Sequence, residues 1–241
     1  MCTVSFVSAN GKKIITSNRD EHLQRETASA PEFVQLENTK IIFPKDAKAG
    51  GTWFAASDSG MVAVLLNGAF VKHIVKPPYR KSRGLVLLDI IASEEPVSFF
   101  SKDNLEGIEP FTVILYQPRQ LYELRWDGNK TYERSLDISG NYIWSSATLY
   151  TDEVIEQRRS LFNSFIEKKE SLSAGSVFDF HNNNHDDVEN GFIINRKTGM
   201  KTFSITQAIA EQEQICFLHN DLLQHQNFEA TMQVDKSLIN L

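Results

Sequence analysis

Cys2 is the residue whose type and position could do covalent chemistry. A small residue directly after an initiator methionine allows Met1 to be removed, and removal would leave a thiol and a free α-amine on the same residue. Ordinary pKa values of about 8.5 for the thiol and about 7.7 to 8.0 for the amine make that amine a built-in general base near neutral pH. The run Asn18-Arg19-Asp20-Glu21 supplies complementary groups. A cationic Arg19 would favour the thiolate, and Asp20 could hold the α-amine in position. Asn67 offers a side-chain NH2 to a developing oxyanion.

These residues are distant in sequence, so strands must bring them together. Residues 2 to 9 alternate in character and run into Asn10-Gly11, the strongest short hairpin signal, with a return strand from Lys12 to Asn18. Counting outward from that two-residue turn pairs Ala9 with Lys12 and Cys2 with Arg19. A second hairpin is expected from Thr52–Ala56 and Met61–Leu66 around Asp58-Ser59-Gly60. It would set Gly51 opposite Asn67 and leave room there for a ligand or another backbone. Trp53 is then either core or the wall of a pocket.

Lys72 to Arg83 carries five Lys or Arg and no acid, and Ser82 can cap a helix from Arg83 to Ser93. A capped helix N-terminus attracts anions, so Lys76, Arg80 and Arg83 are expected to hold an acidic group of a ligand: a carboxylate, a haem propionate or a phosphate. Asn18 and Trp53 complete the expected ligand contacts.

A short helix is expected from Pro96 to Lys102. An antiparallel meander follows in Phe111–Tyr116, Leu121–Trp126, Tyr132–Leu136 and Tyr142–Trp144. Thr151 caps a helix ending near Lys168-Lys169, and a shorter one spans Ser176–Phe180. Final strands are expected at Phe192–Asn195, Lys201–Ile209 and Gln214–Leu218. His181, His185, Asp186, Asp187 and Glu189 lie close in sequence, but their Asn-rich context favours a solvated loop over a metal site. Cys216, within Ile215-Cys216-Phe217-Leu218, is expected to be inert core. Segregated blocks of antiparallel strands and helices imply an α+β class with layered architecture.

Composition bounds the rest. A chain of 241 residues, 41% hydrophobic and 23% charged, is compatible with a single globular domain over residues 1–241 and not with disorder. Its net charge of -6 argues against a general binder of nucleic acid or anionic membranes, although local patches remain open. Neither a membrane-spanning apolar run nor a secretory signal pattern is evident, so no membrane insertion and a cytoplasmic location are expected.

Met1-Cys2-Thr3, Asn18-Arg19-Asp20-Glu21, Gly50-Gly51-Thr52-Trp53, Asn67 and Ser82-Arg83-Gly84 together resemble the NRDE family, also called the transport and Golgi organisation protein family. That family is regarded as similar to N-terminal nucleophile (Ntn) hydrolases of the bile salt hydrolase and penicillin V acylase type. The resemblance implies a four-layer α-β-β-α sandwich with mostly antiparallel sheets. It implies Cys2 as nucleophile and base, Arg19 and Asp20 as the groups that set its ionisation and orientation, and Asn67 in the oxyanion hole. Two functions follow as expectations: hydrolysis of a linear amide of a small, partly apolar anion, or binding and trafficking of haem or a similar molecule without turnover. No cofactor is required for the first, and haem is a candidate ligand for the second. The expected partner is a small molecule, either haem or an acyl amide.

Overall fold

The computed structural model describes residues 2–169 and 171–238, so Met1 and its expected removal lie outside the described residues. Six strands come first: β1 (Cys2–Ala9), β2 (Lys12–His22), β3 (Glu32–Leu36), β4 (Thr39–Phe43), β5 (Phe54–Ser57) and β6 (Val62–Asn67). Helices α1 (Arg83–Ala92) and α2 (Pro96–Lys102) follow. Strands β7 (Phe111–Gln117), β8 (Gln120–Trp126), β9 (Thr131–Leu136) and β10 (Tyr142–Ser145) lead to helices α3 (Asp152–Lys168) and α4 (Ala174–His181). The last strands are β11 (Met200–Ala210), β12 (Gln214–Asp221) and β13 (Gln226–Gln233).

The first hairpin has the expected register. Asn10 and Gly11 both take positive φ, 51° and 75°, which a tight two-residue turn between right-twisted strands requires. Cys2 consequently faces Arg19 and Ala9 faces Lys12. This hairpin belongs to a six-stranded sheet ordered β10-β1-β2-β11-β12-β13, and the remaining strands form a seven-stranded sheet in chain order, β3 to β9.

Alternation along β1 and β2 divides the core in two. Cys2, Val4, Phe6 and Ile15 join the large apolar layer between the sheets. Val7 and Ile14 face the other way and pack with Phe162 of α3 and Val177 and Phe180 of α4. Helix α1 packs on β5 and β6, and α2 on β9, while α3 and α4 cover the six-stranded sheet. The result is an α-β-β-α stack of two antiparallel sheets, as the resemblance implied.

The structure corrects four local expectations. The meander ends at β9, because β10 crosses to the other sheet and pairs with β1 through Val4 and Trp144. Phe192–Asn195 is not a strand; it makes one bridge, Asn195 with Lys201, because its backbone serves the α4 side of the sheet instead. Strands β3, β4 and β13 were not foreseen: β3 and β13 are largely exposed and carry no strong apolar alternation, and β4, although mostly buried, is only five residues long. Cys216 is only partly buried: alternation along β12 turns Ile215 and Phe217 inward and leaves the Cys216 sulfur 3.8 Å from Glu229 Oε1 on the outer side. No helix among the described residues is long and apolar enough to cross a membrane.

Candidate active site

Cys2 stands on β1 with its side chain in the inter-sheet layer, 2% exposed. Burial pushes its thiol pKa up, reinforced by the charge of Asp20, while the Ser17 hydroxyl and Arg19 oppose the rise. Arg19, on the neighbouring strand, is held on the same face by three contacts. Its Nη2 lies 2.8 Å from Asp46 Oδ2, its guanidinium sits 4.1 Å above the Trp53 ring, and Phe203 flanks it at 5.8 Å. Asp46 is shared with Arg25, 2.8 Å away, and accepts from the backbone N–H of Ala49 at 2.8 Å. Those donors hold the Asp46 carboxyl below its usual range against the opposing effect of burial. Arg19 loses basicity through burial, although the neighbouring charges of Glu21 and Asp46 sustain its cation.

A second arginine approaches from the other sheet. Arg83, the first residue of α1, pairs with Glu109 at 3.0 Å, and the same carboxylate takes His73 Nε2 at 2.9 Å. Burial lowers the Arg83 pKa, while the charge of Glu109 above all favours its charged form. Ser82 caps this helix through Leu85 N at 3.3 Å, as expected. Gly51 and Gly84 allow the approach: a Cβ on Gly51 would lie 2.8 Å from Gly84 Cα. Gly51 therefore makes room for another backbone, and not for a ligand beside Asn67.

Asn67 ends β6, partly buried. Ser146 links it to the thiol residue, because its Oγ donates to Asn67 O at 2.8 Å and its N–H donates to Cys2 O at 3.0 Å. Around Arg19 the buried Trp53 Nε1 and Ser204 Oγ have no hydrogen-bond partner among the described residues, which leaves two polar atoms for a ligand or water to satisfy. His219 lines the same layer, bonded to Thr206 Oγ1 at 2.8 Å and 6.2 Å from Trp53. Burial lowers its pKa to about 4, so it is neutral there.

Asn18 and Asp20 point to the opposite face of β2, beneath α3 and α4. The Asn18 amide donates to His181 O at 3.0 Å and Phe192 O at 3.1 Å, and its oxygen accepts from His181 Nδ1. Every polar group of the amide is thus engaged by the fold, which makes Asn18 a strut and not the ligand contact expected of it. His181 Nε2 takes Ser5 Oγ at 2.7 Å, and burial holds the ring neutral with a pKa of about 3. Asp20 accepts from Tyr150 Oη and Thr202 Oγ1, each at 2.8 Å. Burial raises its pKa against the opposing pull of Arg158 and these two hydroxyls.

The other expected cations stand further out. Lys76 is exposed on the loop after β6, and Arg80 directs its guanidinium to the carbonyls of Asn104 and Glu106. Among the described residues no group of three or more His, Cys, Asp or Glu is placed to hold a metal ion. Sequence reasoning missed Asp46, Glu109, Ser146 and Arg158. The acidic pair had no local signal, because each is a single carboxylate in a loop whose partners come from other strands.

Residues 1–231 match the family Transport and Golgi organisation 2. No curated protein matches the chain. Among solved structures, the chain is similar to a Caenorhabditis elegans orthologue of N-acylethanolamine-hydrolyzing acid amidase, with TM-score 0.58 and 13% identity over 86% of this chain and 92% of that one. It is also similar to a mutant of conjugated bile acid hydrolase from Clostridium perfringens, with TM-score 0.54 and 12% identity over 96% of this chain and 92% of that one. A second variant of that hydrolase gives TM-score 0.55 and 11% identity over the same shares. At such identities the likeness concerns the fold, which is that of Ntn hydrolases. The family match spans nearly the whole sequence, and the chain belongs to the Transport and Golgi organisation 2 family.

Proposed function

We propose that this chain is an Ntn-type cysteine amidohydrolase acting on the linear amide of a small, partly apolar, anionic molecule. The observation that carries the reading is the pairing of Cys2 with Arg19 in the inter-sheet layer. The names of the similar structures, a conjugated bile acid hydrolase and an acid amidase for N-acylethanolamines, support amide chemistry on this fold.

Once Met1 is removed, the Cys2 α-amine takes the thiol proton as sulfur attacks the amide carbonyl carbon. The Asn67 side-chain NH2 donates to the resulting oxyanion. Collapse breaks the C–N bond, the α-ammonium returns its proton to the departing amine, and the acyl group remains as a thioester on Cys2. Water, deprotonated by the same α-amine, then attacks the thioester; collapse breaks the C–S bond, releases a carboxylic acid, and the α-ammonium returns its proton to the Cys2 thiolate. Arg19 lowers the cost of the thiolate, and Asp20 is a positioning residue for the terminus. Trp53 walls the pocket, and Arg83 meets the ligand's acidic group, with Arg80 and Lys76 further out along its approach. No cofactor enters this scheme, and the cytoplasm is the proposed compartment.

One observation favours a second reading. The thiol is deeply buried and its pKa is raised, which disfavours a resting nucleophile. The same site around Cys2 and Arg19 would then bind haem or another apolar anion without turnover.

Intact-protein mass spectrometry with limited iodoacetamide labelling, followed by a panel of N-acyl amides, separates the two. Loss of Met1, preferential alkylation of Cys2 and turnover abolished in Cys2→Ala are expected for the hydrolase. Retained Met1 overturns it, because the general base is then missing. A haem absorbance shift that survives in Cys2→Ala, without amide turnover, selects the binding reading.

A further inference from the structure

We propose that the loop between β6 and α1 docks this protein peripherally on anionic lipid bilayers. From residue 70 the chain runs Phe70-Val71-Lys72-His73-Ile74-Val75-Lys76, and its apolar side chains are turned outward. Phe70 is 50% exposed, Val71 71%, Ile74 79% and Val75 61%. Tyr132 of β9, itself exposed, stands edge-on to Phe70 at 4.9 Å and extends the patch. Surface apolar residues scattered singly need no explanation, but a contiguous cluster marks an interaction site.

The base of the loop is fastened, so this presentation is built into the fold. His73 binds Glu109 at 2.9 Å, Gly68 N donates to Pro110 O at 3.0 Å, and Thr112 Oγ1 donates to Gly68 O at 2.9 Å. Arg125 lies 4.8 Å over the Phe70 ring. With its base anchored, the loop presents Val71, Ile74 and Val75 at its tip.

Charge identifies the occupant. Lys81, Arg83 and Arg125 around the loop are paired with Asp89, Glu109 and Glu123. Lys72 and Lys76 have no side-chain partner among the described residues, and they alternate with the apolar tips. In a chain of net charge -6, two unpaired lysines beside four exposed apolar side chains fit an anionic bilayer surface. The tips enter the headgroup and acyl boundary, and the lysine stems lie along it with their ammonium groups at the phosphates. A stable protein partner needs about 800 Å² from each side, far more than the tip of so short a loop offers. Docking in this way does not depend on Cys2 chemistry. Where the proposed hydrolase reading holds, it also brings the end of β6 and Asn67 to the membrane, so that an acyl amide reaches the pocket from lipid.

The test is co-sedimentation of the full chain with vesicles of phosphatidylcholine alone or mixed with phosphatidylserine. Pelleting with the mixed vesicles, weakened by salt, is expected. Lys72→Ala and Lys76→Ala should each reduce partitioning about five-fold. The double variant Val71→Glu/Ile74→Glu should reduce it by about ten-fold or more, with an unchanged circular dichroism spectrum. Cys2→Ala should bind as the unmodified chain does, even if all hydrolytic activity is absent. No pelleting with mixed vesicles, equal binding to both compositions, or an unaffected double variant overturns the proposal. So does a concentration-dependent dimer, seen by sedimentation velocity, that the double variant abolishes without any vesicle binding, since the patch would then serve self-association.

Discussion

At the residue scale, the side chain that organises the reverse of the candidate site is Arg158, the largest fully buried one. Its guanidinium donates to Tyr150 Oη at 2.8 Å and Asn190 O at 2.9 Å, and also to Thr3 Oγ1 and Gly191 O. Tyr150 passes that polarity on by donating to Asp20 at 2.8 Å. Removing the cation would leave several buried acceptors without their donor and withdraw the charge that favours the Asp20 carboxylate, so Arg158→Met should cost about 3 to 5 kcal/mol of stability. Urea unfolding measures this directly, and Asp20→Asn in the same background should recover part of the loss. Arg158 and Arg159 are neighbours in a polar helix, yet Arg159 pairs with Glu156 on the surface. No local pattern distinguishes the two; only the docking of α3 on the sheet does.

At the element scale, α1 starts where it does because two glycines let its first turn approach the strand-entry loop. Thr52 N donates to Gly84 O at 3.2 Å across this junction, and a Cβ on Gly84 would lie 2.7 Å from Thr52 O. Gly51→Ala should therefore displace the start of α1 and cost about 1 to 3 kcal/mol as overpacking. A lowered melting temperature should accompany loss of the Arg83–Glu109 pair, because Arg83 moves with the helix. The Gly50-Gly51 pair announced a close approach in the sequence. Which backbone would arrive was illegible, since Gly84 lies on an element with its own sequence-local cap.

At the scale of the whole molecule, two neutral histidines tie the layers together. His181 sits under the helices with a pKa of about 3, and His219 sits between the sheets with a pKa of about 4. Both are depressed from the unfolded value near 6.5, so their contribution is fully present above about pH 6.5 and is lost as pH falls toward the folded values. In that window the unfolded chain takes a proton that the folded protein refuses, at about 1.4 kcal/mol per pH unit for each group. Asp20, whose pKa is raised by burial, acts in the opposite sense as pH falls. Urea midpoints should thus fall between about pH 6.5 and pH 5. The double variant His181→Asn/His219→Asn should start lower at neutral pH and show a flatter profile across the same interval.

The sequence by itself determined whatever depends on neighbours along the chain. Asn10-Gly11 set the hairpin and, with it, the Cys2–Arg19 pairing; Ser82 and Thr151 set the starts of α1 and α3. Period-two alternation likewise put Cys2 and Arg19 on one face, while Asn18 and Asp20 necessarily took the other. Tertiary structure decided what each face meets. It turned Asn18 into a strut for His181, carried β10 away from its meander to the edge beside β1, and brought Asp46 and Glu109 to the two arginines. The physical reason is range: turns, caps and strand alternation are local steric and hydrogen-bonding preferences, whereas partners for buried charges are fixed only when separate sheets and helices pack.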